Sequence, residues 1–299
     1  MTACAARRRE CSSEAKIRVC LDYTPVAYCG AGLGRYAEKL GRHLLERDDV
    51  EVGFFAATKT LEGLPQYAAS RLHKRWAWPI RRWRLSVFLA HLLGLRFDRH
   101  FAGADVVHCT EHLLVPLAQV PSLLTVHDVV YLSHPEWHLP MNRWFLTLAM
   151  PRFVRRAQAI VAVSEYTRRE VVSLLGADPA RVHVIYEGVD DHFQPVRDPQ
   201  VLAGVRARYG LRPPFILYVG TIEPRKNLPT LLRAFAALCR DPGFEHQLVV
   251  AGGKGWLYDE VYATAAELDL GERCVFTGRV PDEDLPALYS AAEILAWPT

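Results

Sequence analysis

Tyr218-Val-Gly-Thr-Ile-Glu-Pro-Arg-Lys-Asn227 joins an apolar, β-branched run to a helical one. The run before it, Pro214-Phe-Ile-Leu-Tyr-Val-Gly-Thr221, has the length and composition of a buried strand. The run after it, Leu228 to Arg240, carries Pro229 near its start, where a helix tolerates proline, and apolar residues at helical spacing. The same order continues downstream. His246–Gly253 reads as a strand, Leu257–Leu270 as a helix, Arg273–Val280 as a strand, Asp282–Ala292 as a helix and Glu293–Thr299 as a strand. Strands alternating with helices predict a parallel sheet covered by helices.

Upstream the pattern is the same. Lys16–Tyr23, Val50–Ala57, Ala104–Thr110, Ser122–Asp128, Ala159–Ser164 and Val182–Asp190 are short β-rich runs. Gly30–Glu46 is a glycine-rich turn followed by Tyr36, Leu40 and Leu44 at helical spacing, and Asn142–Ala157 reads as a second helix. Pro195–Gln200 is polar and punctuated by proline, as a linker is. The expected architecture is α/β, with two doubly wound domains, residues 1–195 and 196–299. In such sheets ligands bind outside the carboxyl ends of the strands. The sequence stops directly after an apolar strand, so the second domain is expected to be incomplete.

Composition excludes several classes. The chain has 299 residues, half of them hydrophobic, and a net charge of +3, too small to imply nucleic acid. Cys4, Cys11, Cys20, Cys29, Cys109, Cys239 and Cys274 form no C-x-x-C pair, which argues against a disulfide framework or a zinc site and fits reduced thiols in a cytoplasmic protein. Residues 1–16 lack the apolar region of a secretory signal and are expected to fray, and no uninterrupted apolar run reaches spanning length.

Several groups of residues could carry chemistry. Gly30, Gly32 and Gly34 lie between the first strand and helix, where glycines allow an anion or sugar close to a helix N-terminus. They do not fit G-x-G-x-x-G, and no acid follows at ribose spacing; the bland alternative is a packing turn. Gly220, Arg225 and Lys226 hold the same place in the second domain, and two cations before a helix suit a diphosphate. The alternative there is a solvated turn in which Glu223 pairs with Lys226. His127 and His108 end strands, a place for catalysis or for a structural hydrogen bond. Gly252–Gly255 and Gly278–Pro281 end later strands and could lie against a nucleotide. Asp282-Glu-Asp284 formally fits a metal-binding D-x-D, but it opens a helix, where acids cap and serve the dipole. Residues 71–99 carry eight Lys and Arg against one acid, Asp98, with Trp76, Trp78 and Trp83 interleaved. That stretch suits a membrane surface, or else a solvated helix face with core tryptophans.

Taken in order, GAGLGRYAEKL, LLTVHDVVYLSHPEWH, AIVAVSEYTRREV, VHVIYEGVD, ILYVGTIEPRKNLPTLLRAF, LVVAGGKGWLYDE and VFTGRVPDEDLPALYSAAEIL resemble the group 1 glycosyltransferases of family 4, and most closely a bacterial mannosyltransferase-like branch. The resemblance implies the GT-B fold, two facing Rossmann-like domains, with the second truncated before a paired-glutamate motif. It implies transfer of a hexose with retention of configuration and without metal. The donor would be a nucleotide sugar, GDP-mannose or a UDP- or other nucleotide hexose, and the acceptor a glycan or polyprenyl-linked molecule. By resemblance Gly32 and Gly34 line the first-domain side, His127 meets the donor sugar, and Ser164 and Glu165 lie near the acceptor. Gly220, Arg225 and Lys226 hold the diphosphate, and Arg279 and Val280 meet the base. A cytoplasmic location, peripheral on the inner membrane face, follows. The competing expectations are a sugar-nucleotide epimerase of the same architecture and an inactive nucleotide-binding or membrane-surface protein.

Overall fold

A computed structural model describes residues 15–28 and 32–298. Residues 1–14 of the expected frayed opening, Gly30 of the predicted turn and Thr299 lie outside the described residues. The chain divides into two compact units, residues 1–133 with 140–187, and residues 134–139 with 188–299. Both are α/β with parallel sheets, as the alternation predicts.

The first unit contains β1 (Ile17–Asp22), α1 (Thr24–Tyr28), α2 (Gly32–Leu45), β2 (Val50–Ala57), α3 (Gln66–Ala69), β3 (Leu72–Trp76) and α4 (Ile80–Leu93). It continues with β4 (Val106–Cys109), β5 (Ser122–Val126), α5 (Val130–Ser133), α6 (Pro140–Arg156), β6 (Ala159–Ala162), α7 (Glu165–Leu175) and β7 (Val182–Val184). The sheet order among the described residues is β3-β2-β1-β4-β5-β6-β7, all parallel. Parallel strands are covered on both faces, which is why they read as continuous apolar runs rather than alternating ones.

Two stretches depart from the expectation. Residues 71–99 are not one amphipathic element but an edge strand followed by α4. Trp76 and Trp83 are core side chains with ring centroids 4.5 Å apart, whereas Trp78 is exposed. The strand expected over Val182–Asp190 pairs with β6 only through Val184; Ile185 N–H still reaches the Ala162 carbonyl, and the chain then leaves the sheet.

The second unit contains α8 (Pro199–Tyr209), β8 (Phe215–Val219), α9 (Leu228–Leu238), β9 (Gln247–Ala251), α10 (Asp259–Glu267), β10 (Cys274–Gly278), α11 (Leu285–Ala291) and β11 (Ile294–Leu295). Its described sheet runs β10-β9-β8-β11, again parallel. The proline-punctuated stretch belongs to this unit: Val196 N–H bonds Ser290 Oγ at 2.9 Å, and Asp198 caps α8. Asp284 does not cap α11 as expected. Its carboxylate takes Arg208 Nη1 at 2.6 and 2.7 Å and the Tyr209 hydroxyl at 2.6 Å. Those partners anchor α11 to α8 and hold the Asp284 carboxyl below the ordinary carboxylate range, with the Tyr209 hydrogen bond the leading cause.

Candidate functional site

Each sheet reverses its strand order once, and the reversal is where a doubly wound sheet opens a crevice at its carboxyl edge. In the first sheet the reversal lies between β1 and β4, in the second between β8 and β11.

In the second unit, the residues from Gly220 to Lys226 leave β8 at that reversal. Three loops are laced together there. Gly220 N–H bonds the Ala251 carbonyl at 2.9 Å, Ile222 N–H the Gly253 carbonyl at 2.9 Å, and Gly252 N–H the Gly278 carbonyl at 2.9 Å. Gly252 is required by close approach: a Cβ there would lie 1.8 Å from the Gly220 carbonyl oxygen. Pro224–Lys226 form a single 3-10 turn, after which Asn227, at φ 50°, hands the chain to α9.

The two cations of this turn have different settings. Arg225 bonds Glu223 through Nε at 3.0 Å and Nη2 at 2.8 Å. Lys226 Nζ sits 4.8 Å from the ring centroid of Trp297, just past β11 on the other side of the reversal. Glu223 therefore serves Arg225. The cations meet at the crevice position, one aimed by a carboxylate and one laid over an indole face. Gly278 ends β10 at φ 72°, and Arg279 and Val280 follow it. Val280 is buried in the core, and residues 279–283 line an open concavity of about 450 Å³.

In the first unit, His127 follows β5. Its Nε2 faces the Thr110 carbonyl at 3.0 Å and its Nδ1 faces Glu187 Oε1 at 3.3 Å. Both neighbours are acceptors, and they fix the ring between them. The Glu187 carboxyl is held below its ordinary range, first by the His127 hydrogen bond. Tyr36 of α2 sets its ring edge-on to His127, centroids 4.8 Å apart. Its hydroxyl lies 3.1 Å from Thr125 Oγ1, which lies 2.8 Å from His108 Nε2. His108 is buried, and burial lowers its pKa to about 4, so it stays neutral and structural.

Gly32 opens α2, and Gly34 is buried within it, so these glycines share a helix with Tyr36. Ser164 caps α7: its Oγ accepts from Thr167 N–H at 3.0 Å. Thr167 Oγ1 in turn donates to the His127 carbonyl at 3.2 Å, linking the cap to the histidine. Glu165 is exposed beside it.

Sequence reasoning missed an acidic cluster at the first reversal. Asp22 ends β1 and Glu111 follows β4, and both are buried. Glu111 accepts from the Tyr28 hydroxyl and from Arg84 Nη2, the latter at 3.2 Å. Asp22 Oδ1 accepts from Thr24 N–H at 2.9 Å, while Asp22 Oδ2, Glu111 Oε1 and Arg84 Nε have no partner among the described residues. Burial, then the Glu111 charge, raises the Asp22 pKa to about 8. The available signal was a lone acid at the carboxyl end of each strand flanking the reversal.

Two parallel doubly wound units, each with polar groups gathered at its reversal, are the architecture of the GT-B fold. Comparison with known proteins identifies the family. Residues 30–193 match "Glycosyltransferase Family 4" and residues 206–299 match "Glycosyl transferases group 1", and the chain belongs to this family. It is 27% identical over 288 residues to an O-antigen chain mannosyltransferase B of Escherichia coli, covering 92% of this chain and 74% of that protein. It is 35% identical over 189 residues to a GDP-mannose-dependent alpha-(1-6)-phosphatidylinositol monomannoside mannosyltransferase of Mycolicibacterium smegmatis, covering 62% of this chain and only 47% of that protein. Among solved structures, sucrose-phosphate synthase from Thermosynechococcus elongatus shares the fold with a TM-score of 0.71 at 18% identity, over 95% of this chain and 76% of that one.

Proposed function

We propose that the chain moves a hexose, mannose in first place, from a nucleotide sugar to a glycan or polyprenyl-linked acceptor, with retention of configuration and without a metal. GDP-mannose is the first donor to test, since the mycobacterial relative is named for dependence on it. UDP- and other nucleotide hexoses come second. The work takes place at the cytoplasmic side of a membrane.

The observation that carries the reading is the pairing of Arg225 and Lys226 at the second sheet's reversal. A departing nucleoside diphosphate gathers negative charge as the glycosidic bond breaks. A guanidinium already aimed by Glu223 and an ammonium beside it stabilise that charge without reorganising, the task a metal ion performs elsewhere. Gly220 keeps the loop open to phosphate, and Arg279 with the Val280 backbone takes the base. His127 serves the donor sugar. Gly32 and Gly34 line its surroundings, and Ser164 and Glu165 lie on the acceptor side.

The test is to incubate the chain with GDP-mannose or UDP-glucose and a short mannosyl acceptor, with and without EDTA. Nucleotide release and the anomeric configuration of the product are then followed by NMR. Retained configuration and EDTA-insensitive turnover are expected. An inverted product, or a requirement for a divalent ion, would overturn the reading.

A further inference from the structure

We infer that Asp22, Glu111 and Arg84, at the first unit's reversal, hold an uncharged sugar ring by two neighbouring hydroxyls and so reserve that crevice for a neutral saccharide end. This rests on the glycosyltransfer reading above and deepens it: among the acceptors named there, it selects a glycan end over a phosphate-bearing one.

The fold brings these side chains together at a carboxyl edge. Asp22 is the last residue of β1, and Glu111 follows β4, its parallel neighbour. Past the last paired residues of that ladder, the Thr110 hydroxyl donates to the Asp22 carbonyl at 2.8 Å and keeps the two strand ends side by side. Asp22 and Glu111 are each 1% exposed, and Arg84 reaches them from α4. Each of the three has one side committed and one side without a partner among the described residues. Asp22 Oδ1 accepts from Thr24 N–H, and Oδ2 has no donor. Glu111 Oε2 takes both the Tyr28 hydroxyl and Arg84 Nη2, and Oε1 has no donor. Arg84 spends Nη1 on Asn142 and Nη2 on Glu111, and Nε has no acceptor. The cluster's open side is formed by Tyr28, 41% exposed, and by the Arg84 side chain, 28% exposed.

A buried polar atom left without a partner is costly, so three in one cluster call for something that completes them. The three are of both kinds: Arg84 Nε can only donate, and Glu111 Oε1 can only accept. A hydroxyl does both, so a single hydroxyl can accept from Arg84 Nε while it donates to Glu111 Oε1. A second hydroxyl beside it then meets Asp22 Oδ2. Burial keeps the proton on Asp22 near neutral pH, so its carboxyl can donate to that hydroxyl as well as accept from it. Adjacent hydroxyls of this kind are what a sugar ring presents. A phosphate is the wrong ligand, because its charged oxygens would face the Glu111 carboxylate, and the Arg84 charge is already matched by Glu111 at 3.2 Å. A bare cation is equally wrong, because the same guanidinium would repel it. The second unit's reversal sets Arg225 and Lys226 beside Glu223; the first sets Asp22 and Glu111 beside Arg84. The former suits a diphosphate and the latter a neutral polyol.

The experiment is saturation-transfer NMR of the whole chain with GDP present, titrating methyl α-mannoside and, separately, mannose 6-phosphate. The neutral sugar is expected to bind, and the phosphorylated one at least about tenfold more weakly. Asp22→Ala deletes Oδ2 and should weaken methyl mannoside binding at least about tenfold, whereas Asp22→Asn, which keeps a polar atom in that place, should weaken it less. Both variants should stay folded by circular dichroism and bind GDP in calorimetric titration as the parent does. If Asp22→Ala does not fold, the parent's choice between the two sugars and the Asp22→Asn titration decide. No binding of the mannoside, equal binding of its phosphorylated counterpart, or an Asp22→Ala variant that is folded and binds the mannoside like the parent would overturn the inference. A parent that ignores GDP while it still binds the mannoside through Asp22 would count against the glycosyltransfer reading and leave the sugar site standing.

Discussion

The Arg225 guanidinium turns two of its nitrogens, Nε at 3.0 Å and Nη2 at 2.8 Å, onto a single carboxylate oxygen of Glu223. Glu223 is 3% exposed and Arg225 35%, so the acid is the buried anchor and the guanidinium the half-exposed tool. Held on one edge, the planar fork has its Nη1 edge as the one that would meet a phosphate oxygen in the proposed diphosphate site. Arg225→Ala would remove the tool and also leave a buried carboxylate without its cation, a loss that typically costs several kcal/mol. Arg225→Lys separates the roles. It keeps a charge near Glu223 but loses the fork, so it should melt within a few degrees of the parent while turnover falls about 10- to 100-fold. Thermal melts and steady-state nucleotide release check this; unchanged turnover would remove Arg225 from the diphosphate site.

Asp22 makes the molecule's stability depend on pH in an unusual direction. Its folded pKa is raised by burial and then by the Glu111 charge to about 8, above the unfolded carboxylate value near 4. The folded state therefore holds a proton that the unfolded state has released between those two values. Stability falls as pH rises through that window, by up to about 1.4 kcal/mol per unit for one proton. Asp22→Asn fixes the neutral form and should flatten that slope, leaving the variant as stable as the parent near pH 4 and more stable near pH 8. Urea melts across the window test the sign, and a parent stability that rose with pH through it would refute the assignment.

The fold was legible because buried parallel strands must be apolar throughout, and runs such as Phe215–Val219 cannot be solvated helix faces. The strand ends carrying His127, Gly220 and Arg225 were legible for the same reason, since polar residues at a carboxyl edge interrupt the pattern. What stayed hidden depends on contacts across the chain. Asp22 and Glu111 are 89 positions apart, and only the β1–β4 neighbourhood makes them one cluster. β3 stayed hidden because its Leu-His-Lys-Arg-Trp is an edge strand with few apolar residues. The three tryptophans of 71–99 look alike in sequence and differ in packing. Trp83→Ala should cost about 3–5 kcal/mol, a buried aromatic lost from the core, and Trp78→Ala about 0.5 kcal/mol or less. Equal costs in denaturant melts would mean that the core is misassigned.

Gly252 offers the sharpest test of the laced loops at the second reversal. A methyl group built there would lie 1.8 Å from the Gly220 carbonyl oxygen and 2.6 Å from its carbon. Both are backbone atoms, so no side chain can swing aside and the β8 loop itself must move. That loop carries Glu223, Arg225 and Lys226 and is tied to its neighbour by the Gly220–Ala251 and Ile222–Gly253 bonds. Gly252→Ala should therefore destabilise by about 1–3 kcal/mol, as overpacking does, and weaken nucleotide binding as well. Gly253, the next residue, has nothing within 4 Å of a built Cβ, so Gly253→Ala is the matched control. Calorimetric titration with GDP and a thermal melt on both variants give the answer. Loss in Gly252→Ala with retention in Gly253→Ala would tie donor binding to the geometry of this crossing, and equal behaviour of the two would place the nucleotide elsewhere.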